Sequence, residues 1–242
     1  EYTNDFSRRH QEDDRSTAHH QFDVLKNPFV WLIGLASCLL YVARYAINDW
    51  GILYLQMERG YSLAQAGFAV SLFPLVGVIG TILAGPISDR FFQSRRAPAS
   101  CGYVLLFILS LMLLLYAPAN QPWVVNAGMA LAGFAMGGQL VFLGGLVAMD
   151  LCSERASGAA LGFIGGFSYF GAAVQDFLSG RMIEASRLAG GEGVAYDFSQ
   201  VKIFWLGAAV LSLFFTFSLW WAEARYRRVG VEFSAEICSN ES

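Results

Sequence analysis

The chain has 242 residues, of which 55% are hydrophobic and only 14% are charged. Soluble domains usually carry about a quarter of charged residues, so this composition excludes an ordinary soluble domain and predicts an all-α integral membrane protein. The formal net charge of −3 and the lack of a long basic stretch argue against nucleic acid as a partner. The four cysteines are scattered without a CxxC pair, so the sequence predicts no metal site and no cofactor.

Six apolar stretches follow a polar amino-terminal segment. Residues 1–27 are mixed in charge and poor in apolar side chains, which predicts a flexible cytoplasmic segment without a core of its own. Each apolar stretch is long enough to cross a bilayer, because a helix rises about 1.5 Å per residue and the hydrocarbon is about 30 Å thick. The predicted spans are residues 29–57, 64–87, 99–117, 123–149, 158–183 and 201–222. They form a predicted six-helix bundle over residues 28–222, followed by a cytoplasmic tail over residues 223–242.

Local signals mark several of the helix ends and connections. Pro28 is suited to the first turn of a helix, and Ser62 is suited to cap the second span after a short turn. We expect charged loops at residues 88–98 and 150–157, and the longest internal connection at residues 184–200.

The distribution of Lys and Arg predicts the orientation in the membrane. The two termini and the loops at residues 88–98 and 150–157 together carry eleven of these residues, whereas the other face carries four. Positively charged residues accumulate in cytoplasmic loops. We therefore expect both termini in the cytoplasm, which agrees with an even number of spans.

Arg44 lies near the middle of the first span, where a charge costs at least about 2.5–3.5 kcal/mol. A helix with such a residue must turn it toward protein or water. The planar, permanently charged guanidinium is suited to bidentate phosphate binding. A structural ion pair with Asp49 is the alternative, but five residues place the two side chains about 140° apart around the helix axis.

The segment from Gly85 to Arg96 reads G-P-I-S-D-R-F-F-Q-S-R-R. It resembles the G-x-x-x-D-R-x-x-x-x-R-R loop of the major facilitator superfamily, a motif that recurs in each six-helix half of that fold. The resemblance implies that Asp89, Arg90, Arg95 and Arg96 gate the cytoplasmic face. A simple positively charged loop is the alternative interpretation.

Two further segments resemble a narrower family, the organophosphate:phosphate antiporters, over most of residues 27–222. Tyr41-x-x-Arg44-Tyr45-x-x-x-Asp49-Trp50 is similar to the seventh helix of that family. Gly158-x-x-x-Gly162-Phe163, followed by Phe167-x-Tyr169-Phe170-Gly171, is similar to its eleventh helix. The resemblance implies that this chain is the carboxyl-terminal half of a twelve-helix transporter of the bacterial inner membrane, with the amino-terminal half as its partner.

The same resemblance implies roles for individual residues. Arg44 matches one of two arginines that bind phosphate, one from each half, and Tyr41 and Tyr169 match substrate-contacting positions. Asp49, toward the outer end of its helix, matches an acid that pairs with a lysine of the other half as an external gate. For the tyrosines, helix packing is the alternative, and for Asp49 it is a solvated acid near the helix end.

Gln139 and Asp176 are polar residues deep in the fourth and fifth spans, and we expect them to contact substrate. Hexose-phosphate transporters of the family have an acid–lysine pair in the eleventh helix, whereas this chain has no lysine there. That specificity therefore does not carry over, and a structural role for Asp176 remains open.

The function expected from these residues is exchange of an organophosphate, either a sugar phosphate or glycerol-3-phosphate, for inorganic phosphate by alternating access. A membrane sensor of sugar phosphate and a facilitator for another organic anion are the alternatives. We do not expect an enzyme, because no titratable pair has catalytic spacing.

Overall fold

A computed structural model describes residues 28–93, 95–118, 121–143, 154–190 and 193–228. The predicted cytoplasmic segment at 1–27, the end of the fourth span and most of the carboxyl-terminal tail lie outside the described residues. The described part contains six α-helices and one two-stranded antiparallel sheet. In chain order the elements are α1 (Pro28–Arg59), α2 (Leu63–Phe92), α3 (Arg96–Tyr116), α4 (Pro122–Val141), α5 (Glu154–Ala185), β1 (Arg187–Gly190), β2 (Gly193–Tyr196) and α6 (Ser199–Arg228).

Five of these six helices are both long enough and apolar enough to cross a membrane, namely all except α5. Helix α5 has 32 residues, so it is also long enough, but glycines and polar side chains make it less apolar. The prediction of a helical membrane protein is therefore confirmed. The fifth predicted span is present as a helix of spanning length.

Two predicted helix starts are confirmed in detail. Pro28 is the first residue of α1. The Ser62 side chain accepts a hydrogen bond from the Gln65 backbone N–H, and the Gln65 side chain accepts one from the Ser62 backbone N–H, at 3.3 and 3.0 Å. This reciprocal capping box satisfies two N–H groups that the first helical turn would otherwise leave unpaired.

The predicted charged loop at residues 88–98 is wrong, because helix continues into it from both sides. Helix α2 runs to Phe92 and α3 begins at Arg96, so only residues 93–95 separate them. Gln93 ends α2 in the left-handed conformation, with a φ of 53°. Hydropathy marks where the hydrocarbon ends, whereas charged residues are good helix formers and let a helix continue beyond it.

The predicted long connection at residues 184–200 also differs from the structure. It contains an antiparallel hairpin in which Arg187 pairs with Tyr196 and Gly190 with Gly193. After the hairpin, Asp197 Oδ1 accepts a 2.8 Å hydrogen bond from the Ser199 backbone N–H at the start of α6. Hydrogen bonding from the Ser199 side chain, followed by that from its backbone N–H, holds the pKa of the exposed Asp197 carboxyl below its usual value.

The helices pack in two groups that share a contact. Helix α4 packs against α2 and α3, helix α1 packs against α5 and α6, and α3 contacts α6. The buried core includes Tyr54, Phe107, Met129 and Trp205. This arrangement turns one side of α1 and α5 outward, and the predicted site residues of those helices lie there.

Candidate functional site

Arg44 lies among the aromatic rings of α1. Its guanidinium carbon is 5.0 Å from the ring centroid of Tyr41 and 5.5 Å from that of Tyr45. The two tyrosines are one helical turn apart, and their ring centroids are 5.7 Å apart. A cation over aromatic faces is attracted by their quadrupoles, so the rings stabilise the charge without neutralising it.

Tyr169 of α5 completes this aromatic cluster. Its ring centroid is 5.8 Å from that of Tyr41 and 6.3 Å from that of Tyr45. Helices α1 and α5 approach closely because Gly171 lies against the Cys38 carbonyl, where any added Cβ would clash. The side chain of Tyr169 is largely exposed, so the cluster opens to the surface of the bundle.

Arg44 and Asp49 form no ion pair with each other, and Arg44 has no carboxylate within salt-bridge distance among the described residues. The Nε atom of Arg44 is buried and has no hydrogen-bond partner among them. The structure therefore contradicts the alternative in which Arg44 pairs with Asp49. A guanidinium with a buried, unpartnered Nε and no carboxylate partner among these residues is suited to bind an oxyanion such as phosphate.

Asp49 lies beside Asp176 of α5, close enough for their side chains to interact. Trp50 Nε1 donates a 3.3 Å hydrogen bond to Asp176 Oδ1, and Gly180 leaves room for the Trp50 ring. Asp49 lies ten residues before the end of α1 at Arg59, and its side chain is exposed. Two exposed carboxylates from different helices therefore form a negative patch next to the Arg44 cluster.

Gln139 of α4 is fully buried and lies against a cavity that Tyr41 also lines. Its Nε2 donates a 2.7 Å hydrogen bond to Ser100 Oγ of α3. Its Oε1 has no hydrogen-bond partner among the described residues. The amide is therefore half satisfied, in contrast to most buried polar groups.

The four residues predicted to gate the cytoplasmic face lie at the junction of α2 and α3. Asp89 and Arg90 occupy the last turn of α2 and are exposed. Arg95 precedes α3, its backbone N–H bonds Phe92 O at 2.9 Å, and Arg96 is the first residue of α3. The structure thus groups these four residues in one place, separate from the Arg44 cluster.

Sequence reasoning missed three contributors to this region. Tyr45 appeared in the family motif, but its place beneath Arg44 depends on its rotamer. Trp50 likewise appeared in the family motif, but no role was predicted for it. The bond between Ser37 Oγ of α1 and Ser168 Oγ of α5, at 2.5 Å, depends on helix packing and had no sequence signal. The described residues contain no group of three potential metal ligands.

Comparisons with known proteins agree with these features. A family model described as the Major Facilitator Superfamily matches residues 4–175. The glycerol-3-phosphate transporter of Bacillus subtilis is 35% identical over 196 residues, which cover 79% of this chain and 44% of that protein. A membrane sensor protein of Salmonella typhimurium is 37% identical over 161 residues, which cover 66% of this chain and 36% of that protein.

The hexose-6-phosphate:phosphate antiporter of Escherichia coli is 30% identical over 189 residues, which cover 78% of this chain and 40% of that protein. The chain thus spans less than half the length of these relatives. Bacterial relatives and apolar helices together indicate an integral protein of the bacterial inner membrane. The chain belongs to the Major Facilitator Superfamily, and within it matches the organophosphate:phosphate antiporter family.

Proposed function

We propose that this chain is part of a secondary transporter that exchanges an organophosphate for inorganic phosphate. The observation that supports this most strongly is the state of Arg44. Its guanidinium is held over Tyr41 and Tyr45, and it has no carboxylate partner among the described residues. Phosphate would supply the missing negative charge, and the planar guanidinium would bind two of its oxygens. The proposed activity is transport, not catalysis.

The proposed mechanism is alternating access by two six-helix halves, of which this chain is the carboxyl-terminal one. Phosphate would bind between Arg44 and an arginine of the amino-terminal half, near the middle of the membrane. The bound anion would draw the two halves together and lower the barrier to reorientation. Without a bound anion, the unpaired positive charge would make the empty transporter reorient slowly. The transporter would therefore exchange one anion for another and would not carry an anion in one direction only.

The remaining predicted residues receive roles around this step. Tyr41 and Tyr169 would donate hydrogen bonds to substrate oxygens, and Gln139 would contact the organic part. The patch of Asp49 and Asp176 would attract a cation of the amino-terminal half and close the external side. We assign Asp176 to this patch because it contacts Trp50 and Asp49. In this role Asp176 does not contact the substrate directly.

The four cytoplasmic residues would close the opposite side. Asp89, Arg90, Arg95 and Arg96 present both signs of charge in one place, so they are suited to pair with charges of the amino-terminal half. Such exposed pairs are weak individually, which allows them to break and form again in each transport cycle.

Inhibition of phosphate exchange tests the proposed substrate class. The complete transporter, with its proposed amino-terminal half, is reconstituted into phosphate-loaded vesicles, and uptake of labelled phosphate is measured. We expect uptake that glycerol-3-phosphate or sugar phosphates inhibit and that simple carboxylates do not. Inhibition by carboxylates with no effect of phosphate esters would contradict the proposal and favour a facilitator for another organic anion.

A sensor is the second candidate, because the Salmonella typhimurium relative is a membrane sensor protein. A sensor would bind a sugar phosphate through the same residues and pass a conformational change to a partner protein. Ligand-induced stabilisation of the purified protein without measurable exchange would favour this candidate over the transporter.

A further inference from the structure

A cavity of about 80 Å³ lies between α1, α4 and α5, next to the Arg44 cluster. Its polar lining comes from Ser37, Tyr41, Gln139 and Ser168, and the rest is mainly leucine and isoleucine side chains. Tyr41 therefore borders two spaces, since its ring also lies beneath the Arg44 guanidinium. A molecule bound at Arg44 could extend past Tyr41 into the cavity.

The two serines of the cavity present acceptors to its interior. The Ser168 hydroxyl donates to Ile164 O of its own helix at 2.7 Å, which uses its one proton. The Ser37 hydroxyl must then donate to Ser168 Oγ across their 2.5 Å contact. The lone pairs of Ser37 Oγ remain available to accept a hydrogen bond.

Gln139 adds a second acceptor. It is fully buried, it lines the cavity, and its Oε1 is unpartnered among the described residues. A buried acceptor without a partner is destabilising, so a donor that enters the cavity is favoured. Phosphate carries almost only acceptor oxygens and is poorly suited to this lining, whereas a hydroxyl group is well suited to it.

We propose that this cavity is the subsite for the hydroxyl-bearing chain of the organophosphate, whose phosphate binds at Arg44. The ester lies with its phosphate on the donors of Arg44 and its hydroxyls on the acceptors of Gln139 and Ser37. This inference rests on the proposed function, since it requires a phosphate ester at Arg44. It adds the orientation of that ester and the chemical class of its organic part.

The volume of the cavity limits the size of the chain. A space of about 10–15 Å³ holds one water-sized group, so the cavity accepts roughly five to eight such groups. A three-carbon polyol has six non-hydrogen atoms and fits, whereas a hexose has twelve. The subsite therefore favours a short polyol phosphate over a hexose phosphate.

Competition between two phosphate esters tests the subsite. Uptake of labelled phosphate by the complete transporter is inhibited with glycerol-3-phosphate and with propyl phosphate, which has the same chain length but no hydroxyls. We expect glycerol-3-phosphate to inhibit at a lower concentration. Gln139→Leu should reduce this preference by about fivefold or more, because it removes the acceptor of a hydroxyl group.

A matched control is available in Gln175 of α5. It is also fully buried, its Nε2 donates to Ser179 Oγ at 3.1 Å and its Oε1 is unpartnered among the described residues, but it does not line the cavity. Gln175→Leu should therefore keep the wild-type preference. Ser37→Ala is a second test variant in case Gln139→Leu fails to fold, and it should also reduce the preference.

Three results would overturn the subsite: no wild-type preference for glycerol-3-phosphate, an unchanged preference in both variants, or equal inhibition by a hexose phosphate. The second result would mean that neither Gln139 nor Ser37 accepts a hydrogen bond from a substrate hydroxyl. If the wild-type protein does not exchange phosphate, the transporter proposal fails, and ligand-induced thermal stabilisation of the purified protein replaces uptake. Stabilisation by glycerol-3-phosphate that Gln139→Leu selectively weakens would then support the subsite. No stabilisation, or stabilisation that Gln139→Leu leaves unchanged, would overturn it.

Discussion

At the scale of single residues, the aromatic rings around Arg44 explain how the charge is tolerated in the bundle. Tyr41 and Tyr45 attract the cation through the faces of their rings. Because the rings are neutral, Arg44 keeps its full positive charge for binding phosphate. A carboxylate in the same place would stabilise Arg44 but would compete with an anionic substrate. Tyr45 should therefore act through its ring more than through its hydroxyl.

Substitutions at Tyr45 separate these two contributions. Tyr45→Phe keeps the ring and should retain exchange to within about threefold, whereas Tyr45→Ala should reduce it about fivefold or more, given about 0.5–2 kcal/mol for a cation–π contact. Uptake of labelled phosphate is the measurement, with the exposed Tyr116 changed to Ala as the control. Equal losses in Phe and Ala variants would show that the hydroxyl matters instead.

The sequence predicted Arg44 as an unusual intramembrane charge, and spacing alone excluded a good pair with Asp49. It did not predict that Asp49 would lie beside Asp176, because that contact joins residues 127 positions apart. The orphaned oxygen of Gln139 was equally hidden, since it depends on which groups α3 and α4 bring together.

At the scale of elements, close helix crossings fix the geometry of the bundle. A Cβ at Gly80 of α2 would clash with the Phe134 carbonyl of α4, and one at Gly133 would clash with the Phe73 carbonyl. Thr81 Oγ1 also donates to Gly137 O at 3.1 Å across this crossing. Helix backbones that approach this closely are stabilised by dispersion attraction and by weak Cα–H···O contacts.

Gly80→Ala should destabilise the protein, because its methyl group has no room at the crossing. We expect a loss of about 1–3 kcal/mol in the free energy of unfolding, typical of overpacking. Gly67→Ala on the same helix is the control, since nothing lies within 4 Å of the added Cβ. The melting temperatures of the two variants are compared in detergent. Equal melting temperatures would contradict the close crossing of the helices at Gly80.

Arg59 at the end of α1 caps the carboxyl end of α3. It donates to the carbonyls of Ala117 and of Leu115, the latter at 2.6 Å, and Tyr54 donates to Leu115 O at 2.9 Å. A cation at a helix carboxyl end also interacts favourably with the helix dipole. The role of Arg59 is therefore structural.

Arg59→Ala should cost about 1.5–3 kcal/mol of stability, the range for hydrogen bonds to a charged group. Arg187→Ala should be near neutral, because the Arg187–Glu184 pair at 3.2 Å is highly exposed. The comparison is made by thermal unfolding in detergent. Similar shifts in both variants would contradict the capping role.

The sequence predicted the ends of the helices less accurately than it predicted the presence of the helices. Apolar length found the spans, but the helices continue through Asp89 and Arg90 and begin again at Arg96, since charged residues favour helix outside the hydrocarbon. The hairpin between α5 and α6 has strands of four residues each, too short for a clear alternation of apolar and polar residues.

At the scale of the whole molecule, the bundle exposes large apolar faces. Leu75 and Ile82 of α2 and Phe170 and Phe177 of α5 are each more than 60% exposed. Lipid, or the amino-terminal half that we propose, would cover them. Sequence reasoning predicted the helical membrane class from composition, but a second half leaves no trace in the periodicity of this chain.

The orientation predicted from Lys and Arg can be tested by labelling. Arg95→Cys and Arg187→Cys, each exposed, are introduced into a cysteine-free background and treated with a membrane-impermeant thiol reagent on intact cells. Position 187 should react from outside and position 95 only after the membrane is opened, because positive loops stay in the cytoplasm. The reverse pattern would contradict the predicted topology.

The central claim is that Arg44 binds phosphate through two oxygens, and one exchange measurement tests it directly. Uptake of labelled phosphate into phosphate-loaded vesicles is compared for the complete wild-type transporter, Arg44→Lys and Arg181→Lys. Arg181 is the control, since it also lies over an aromatic ring, that of Phe177 at 5.6 Å, but it is exposed near the end of α5. We predict exchange in the wild type and in Arg181→Lys, and a loss of at least about tenfold in Arg44→Lys, which keeps the charge but not the planar donors. Near-normal exchange in Arg44→Lys would contradict the bidentate role of Arg44.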